Sequence, residues 1–130
     1  MKIAKKNKLV VEQVIKSSPT VLYNMLVTPS GLSSWFCDDV DIKHGNRYVF
    51  FWGTIALGAK LLSQKKDHYV RFAWEKDEDA EDYFEFRIER DYITSDVFLV
   101  ITSTSEQGNQ DIEIEDWELM TQKLKICIGG

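Results

Sequence analysis

SPTVLYNMLVTPSGLSSWFCDDV, residues 18–40, is the one long interruption in a chain that otherwise alternates as strand after strand until its last twenty or so residues. Ser18 is a helix N-cap whose hydroxyl can accept from the free amides of a first turn. Pro19 follows where its missing N–H and fixed φ cost nothing. The spacing predicts a short helix with Val21, Leu22, Met25 and Leu26 on its inner side. Thr28-Pro29 ends it, because the residue before proline is driven out of the α region. Ser30 opens a second helical turn that carries Leu32, Trp35 and Phe36 inward, and Asp38-Asp39 return the chain to extended structure. The two aspartates are read as caps of this insert in preference to a catalytic carboxylate pair.

Upstream, residues 9–16 alternate Leu9, Val11, Gln13 and Ile15 against a second face, a half-buried strand in which Gln13 is the odd member. Downstream, strands are predicted over 40–43, 47–52, 55–65, 69–74, 83–90 and 95–103. Turns fall at 44–46, 53–54, 66–68 and 91–94, and Gly58 is the expected site of a bulge. Val70, Phe72 and Trp74 share one face; so do Phe84, Phe86 and Ile88, and Val97, Leu99 and Ile101. Glu85, Arg87 and Glu89 point outward. The acidic run 75–82 is a solvated hairpin tip and 105–110 a polar loop. Residues 111–128 gather Ile114, Trp117, Met120, Thr121, Leu124, Cys127 and Ile128 on one stripe at about 100° per residue, an amphipathic helix. Its acidic first half and basic second half suit the helix dipole. Leu119 and Ile126, seven apart, project from the opposite side as a ridge for a partner or as ordinary exposed aliphatics. No repeat or linker divides the chain, so residues 1–130 read as one domain.

The helix ending in TPSGL, then WF and an acidic pair, placed between a first strand and a long antiparallel run, resembles the START-like (helix-grip) superfamily. Tyr48-Val49-Phe50-Phe51-Trp52-Gly53, Val70-Arg71-Phe72-Ala73-Trp74, Tyr83-Phe84-Glu85-Phe86 and Trp117 in the closing helix reinforce the likeness. The chain looks most like the small stand-alone bacterial members, and next most like homologues of the chaperone-ATPase activator. The resemblance implies an α+β helix-grip fold: a curved antiparallel sheet of about six to seven strands, two short helices after the first strand, and a long C-terminal helix on the concave face. A ligand cavity lies between sheet and helix in many relatives. The superfamily implies no single activity.

Composition narrows the classes. A 44% hydrophobic and 12% aromatic content argues against disorder. No stretch approaches the roughly 20 apolar residues of a membrane span. With a formal charge of −5 and its densest lysines at the N-terminus, the chain is a poor nucleic-acid binder. The N-terminus shows no signal-peptide pattern, which makes the cytoplasm the expected compartment. Cys37 and Cys127 read as two free thiols, since no disulfide framework or zinc spacing is present.

Catalytic signals are sparse. His44 and His68 fall in turns, no phosphate loop or nucleophile elbow is present, and no metal-ligand cluster or cofactor motif appears. The inward faces offer few polar groups: Gln13, Thr121 and the Tyr48 hydroxyl. Two classes therefore lead, with an enzyme third. The first is non-enzymatic binding of a small hydrophobic or amphipathic ligand, lined by Trp35, Phe50, Trp52, Leu57, Phe72, Trp74, Phe84, Phe86, Trp117 and Met120. Plain core packing would use the same residues. The second is a protein-interaction, homodimeric or co-chaperone-like module with a filled core, using the Leu119/Ile126 ridge. Because four strands offer large aromatics and the helix answers with Trp117, the expected cavity is closed or narrow.

Overall fold

The chain is described by a computed structural model over residues 7–75, 82–105 and 110–129. Its first strand, β1 (Asn7–Ile15), buries Leu9, Val11 and Ile15 as the alternation requires. Helices α1 (Pro19–Val27) and α2 (Pro29–Trp35) follow. Then come β2 (Asp39–Lys43), β3 (Arg47–Trp52), β4 (Ile55–Lys65), β5 (Tyr69–Trp74), β6 (Tyr83–Arg90), β7 (Val97–Ser105) and α3 (Gln110–Ile128). The strands form one antiparallel sheet in the order β1-β7-β6-β5-β4-β3-β2, and the long β2-to-β7 meander is closed by β1 pairing with β7. This is the helix-grip order, with α3 packed against α2 and β1. Gln13 has a structural reason to face inward: Lys125 Nζ donates to its Oε1 at 2.8 Å, tying α3 to β1.

The helical insert differs from expectation in two details. Ser18 caps α1, accepting from the Val21 amide, but Thr28, not Ser30, caps α2, with Pro29 at its first position. The Thr28 hydroxyl donates to the Asn24 carbonyl at 2.7 Å and accepts from the Gly31 amide at 3.0 Å, so one side chain ends the first helix and starts the second. Val21 is exposed; the inner side of α1 is Leu22, Tyr23 and Leu26, because the Tyr23 hydroxyl donates to Gln64 and anchors that ring.

In the sheet, the bulge lies between Leu61 and Ser63, where the β4–β5 register shifts, and not at Gly58, which pairs regularly with Val49. Gly58 is small because the Arg47–Glu75 ion pair lies over it. Strand β7 begins at Val97, since Ser95 adopts a left-handed φ of 67°. Cys127 is exposed and not part of the buried stripe of α3; its neighbour Lys125 is half-buried instead. The predicted tip at 75–82 and loop at 105–110 fall largely outside the described residues.

Glu85 points to the convex face as predicted yet is buried, at 6% exposure. Arg71 and Arg87 cover it, with guanidinium nitrogens 3.0 Å from its oxygens, and themselves lie over Tyr83 and Tyr69 at 4.7 and 4.5 Å. Burial alone would raise its carboxyl, but hydrogen bonds and charge from Arg87 and then Arg71 hold it below the usual range. A cross-strand charge cluster thus pins β5 against β6 on the outer face.

The contact of α1 with α2 is the tightest point of the insert. A Cβ on Gly31 would stand 2.6 Å from both the Asn24 carbonyl oxygen and the Met25 Cα, and both are backbone. Gly31→Ala is therefore expected to cost about 1–3 kcal/mol in urea unfolding, because the two helices must separate. An unchanged midpoint would show that they do not pack this closely.

Candidate functional site

Phe36, at the end of α2, is the ring on which the interior is assembled. It meets Phe50 and Phe86 edge to face at 5.0 and 5.7 Å, lies 5.5 Å from Phe84, and stacks on Trp117 of α3 at 5.8 Å and 14°. Behind it Phe50, Phe72, Phe84 and Phe86 are completely enclosed, and Phe72 and Phe84 stack at 5.0 Å. The centre of the grip is solid. Four of the ten residues expected to line a cavity are thus core, because the insert drives Trp35 and Phe36 into the space they face.

The space that remains is displaced to one end. An open cleft of about 800 Å³ lies between α2, α3 and the ends of β3, β4, β5 and β7. It is wider than the expected closed or narrow pocket. Trp35, Trp52, Leu57, Trp74, Trp117 and Met120 all line it. Phe36, Cys37 and Ile55 add to the apolar wall, while Ser33, Ser34, Asp38, Ser103, Thr104, Glu113, Asp116 and Lys123 are the polar lining. All four tryptophans of the chain border this one recess.

Local chemistry holds two of these rings in place. The indole N–H of Trp52 donates to the Phe36 carbonyl at 2.8 Å, and that of Trp35 to the Met25 carbonyl at 2.8 Å. Gly53, at a φ of 61°, makes the turn after Trp52, and its amide donates to Asp38 Oδ2 at 2.7 Å. Asp38 thus binds the end of α2 to the β3–β4 turn, and the Asp39 carboxylate accepts from the Val40 amide at the start of β2. The pair therefore fastens the β3–β4 turn and the start of β2 and does not cap α2, whose C-cap is Phe36; a carboxylate only accepts and cannot satisfy the free carbonyls of a helix C-terminus.

The inward polar groups are committed to structure. The Tyr48 hydroxyl donates to the Val27 carbonyl, Thr121 Oγ1 to the Glu118 carbonyl, and Gln13 receives Lys125. Burial, then the neighbouring Tyr23, raises the Tyr48 phenol above its ordinary value. His44 and His68 are exposed in their turns. Among the described residues no three His, Cys, Asp or Glu side chains gather as a metal site, and no helix is long and apolar enough to cross a membrane.

That serines and the carboxylates of Glu113 and Asp116 rim the cleft was missed from the sequence, which assigned the acidic half of the helix to its dipole alone. Glu113, Asp116, Met120 and Lys123 recur at three- and four-residue intervals beside the apolar stripe of α3, so the boundary of that stripe carried the signal. The partner ridge is exposed as expected, and Ile112 extends it: Ile112, Leu119 and Ile126 stand 64%, 61% and 80% exposed at seven-residue intervals. Leu119 also borders the cleft.

The two thiols differ. Burial, then the carboxylates of Asp39 and Asp38, push Cys37 up to about 12, and its Sγ donates to the Leu32 carbonyl at 3.6 Å. At pH 8, Cys127 alone should react with a thiol reagent in the native protein, and Cys37 only in denaturant, since thiolate is the reactive form. Rapid modification of both would contradict this burial.

Trp117 is packed on one side and faces the cleft on the other, so its deletion leaves a smaller new void than that of an enclosed ring. Trp117→Ala is expected to cost about 3 kcal/mol in denaturant unfolding, and Phe84→Ala about 4–5 kcal/mol despite its smaller ring. The reverse order would place Trp117 in a closed core.

A family model for the START-like superfamily domain matches residues 3–130. Among solved structures, a Bacteroides fragilis protein is 31% identical, over 95% of this chain and 92% of its own, with a TM-score of 0.66. The Aha1 dimer of Colwellia psychrerythraea is 18% identical over 94% and 96% of the two chains, with a TM-score of 0.79. A Mesorhizobium loti protein is 18% identical over 92% and 94%, at 0.73. The likenesses at 18% show the fold alone. Curated proteins gave no match.

Proposed function

The chain belongs to the START-like superfamily, and from that premise we propose that it binds a small hydrophobic or amphipathic molecule, without chemically changing it, in the cleft between α3 and the sheet. One observation carries this reading: the four tryptophans of the chain surround one open recess whose volume suits a small ligand. Burial of indole would stabilise the fold by roughly 25 cal/mol for each Å² of apolar surface removed from water. A chain selected only for packing would therefore close over Trp52 and Trp74, as it closes over the phenylalanines behind them. Trp35, Trp52, Leu57, Trp74, Trp117 and Met120 are the proposed contacts, and Phe50, Phe72, Phe84 and Phe86 the rigid backing.

A second reading is an interaction module or homodimer. The observation favouring it is the seven-residue spacing of Ile112, Leu119 and Ile126 on the outer side of α3, and the Colwellia protein of similar fold is described as a dimer.

Titrating ¹⁵N-labelled protein with a panel of fatty acids, sterols and small aromatics should produce saturable shifts that centre on the Trp52, Trp74 and Trp117 indole signals. If no compound moves them, the binding reading fails. A hydrodynamic mass that falls on replacing Leu119 and Ile126 by serine would then favour the second reading.

A further inference from the structure

Ile112, Leu119 and Ile126 are exposed on the side of α3 opposite the buried Trp117, Thr121 and Leu124. Seven-residue steps set them about 10 Å apart along the axis and turn them by only about 20° each around it, so the three form one straight ridge. Leu119 is its midpoint. A ridge with the same residue type at equal distances on either side of a centre is the shape that a two-fold axis makes self-complementary. In an antiparallel pair of α3 helices with that axis at Leu119, Ile112 of each copy meets Ile126 of the other.

The charges of α3 fit the same arrangement. Its acids are Asp111, Glu113, Glu115, Asp116 and Glu118, and its lysines are Lys123 and Lys125. No acid stands three or four residues from a lysine, so α3 lacks the internal pairs that support a solvated helix face. Asp111 and Glu115, Glu113 and Asp116, and Glu115 and Glu118 stand at those spacings instead, where like charges repel. The macrodipole favours acids only in the first turn. A second copy running the opposite way lays each acidic half beside a basic half. Lys125 is already held by Gln13, which leaves Lys123 as the lysine free to serve it. At about 100° per residue Asp116 and Lys123 share one flank of the ridge, and Glu115 and Gln122 share the other. All four are exposed. A two-fold axis turns each flank toward its own copy, which sets Asp116 against Lys123 of the second copy within about 1.5 Å in height, and Glu115 against Gln122 of the second copy. A parallel copy would set Asp116 against Asp116 and Lys123 against Lys123.

We propose that two copies of this chain associate through the outer faces of their α3 helices, antiparallel about Leu119, with an aliphatic seam of Ile112, Leu119 and Ile126 flanked by two Asp116–Lys123 ion pairs. This rests on the homodimer reading and adds its face, direction and register. The seam is one residue wide in each heptad, so the association belongs to the weak, concentration-dependent class. The flanking ion pairs contribute choice of direction more than affinity. Asp116, Leu119 and Lys123 also stand on the cleft rim, and the second copy therefore lies along that side of the cleft mouth.

Sedimentation equilibrium of the full chain from about 10 μM to about 1 mM should show monomer and dimer exchanging with concentration. Lys123→Glu reverses one member of both ion pairs and is expected to weaken the dimer about tenfold. Adding Asp116→Lys to it restores both pairs with their signs exchanged and should return the affinity to within about threefold of the original. Thermal midpoints taken at dilute protein confirm that the variants fold. Direction is read by cross-linking in a Cys127→Ser background: a short bis-maleimide should join Leu119→Cys copies to each other and not Ile112→Cys copies, whose cysteines lie about 20 Å apart along the axis. A chain that stays monomeric over the whole range would overturn the homodimer reading and this inference together. A dimer that Lys123→Glu leaves unchanged, that the second substitution does not restore, or that cross-links through Ile112→Cys would overturn the face or direction assigned here and leave a homodimer of another geometry.

Discussion

A single ring holds the arrangement together. Phe36 leaves the end of α2 at the point where Asp38 takes the chain into β2, and it meets aromatic side chains of β3, β6 and α3 at 5.0–5.8 Å. Pairs of this kind contribute about 0.5–1.5 kcal/mol each beyond the area they bury. Their greater effect is geometric. With Phe36 in the middle of the grip, α3 cannot settle on the sheet along its whole length: it packs on Phe36 through Trp117 and on β1 through the Lys125–Gln13 hydrogen bond. The Trp52 and Trp74 end of the sheet is left uncovered. The cleft is thus a consequence of how the centre is filled.

The insert that delivers Phe36 is short and closely bonded. Thr28 ends one helix and begins the next, and Gly31 lets their backbones meet. The Trp52 indole and the Gly53 amide then fasten the β3–β4 turn to Phe36 and Asp38. On the opposite face Glu85, with Arg71 and Arg87 folded over the tyrosines, keeps β5 and β6 in register. The cleft wall is therefore supported from both faces of the sheet, and an arriving ligand meets rings that are already oriented. Such preorganisation lowers the entropy lost on binding.

Much of the fold was legible because it is written in local rules. Alternation located all seven strands, Ser18-Pro19 marked the first helix, and the α3 stripe gave its buried face through Trp117, Thr121 and Leu124. Errors arose where one residue served two neighbours. Thr28 looked like a stop and is also a start; Gly58 looked like a bulge and makes room for an ion pair; Glu85 alternated outward correctly but was buried by arginines from two strands. The site was legible by residue type and not by depth. Period-two patterns say which face a side chain takes, and they are silent on how far a helix from elsewhere stands above it. Phe50 and Trp52 share a face and a strand, yet one is enclosed and the other borders the cleft. The carboxylates of α3 were read only as complements of the helix dipole, and their place on the cleft rim was missed, because a charge at the margin of an apolar stripe resembles any solvated helix side.

The central claim is that the grip is solid at its middle and open at one end. Paramagnetic relaxation by a neutral gadolinium chelate, read at the ring protons of each aromatic residue, tests this most directly, since the effect falls steeply with distance from solvent. The account predicts marked broadening for Trp52 and Trp74, partial broadening for Trp117, and protection for Phe50, Phe72, Phe84 and Phe86. Uniform protection of the tryptophans, or broadening among those phenylalanines, would contradict it.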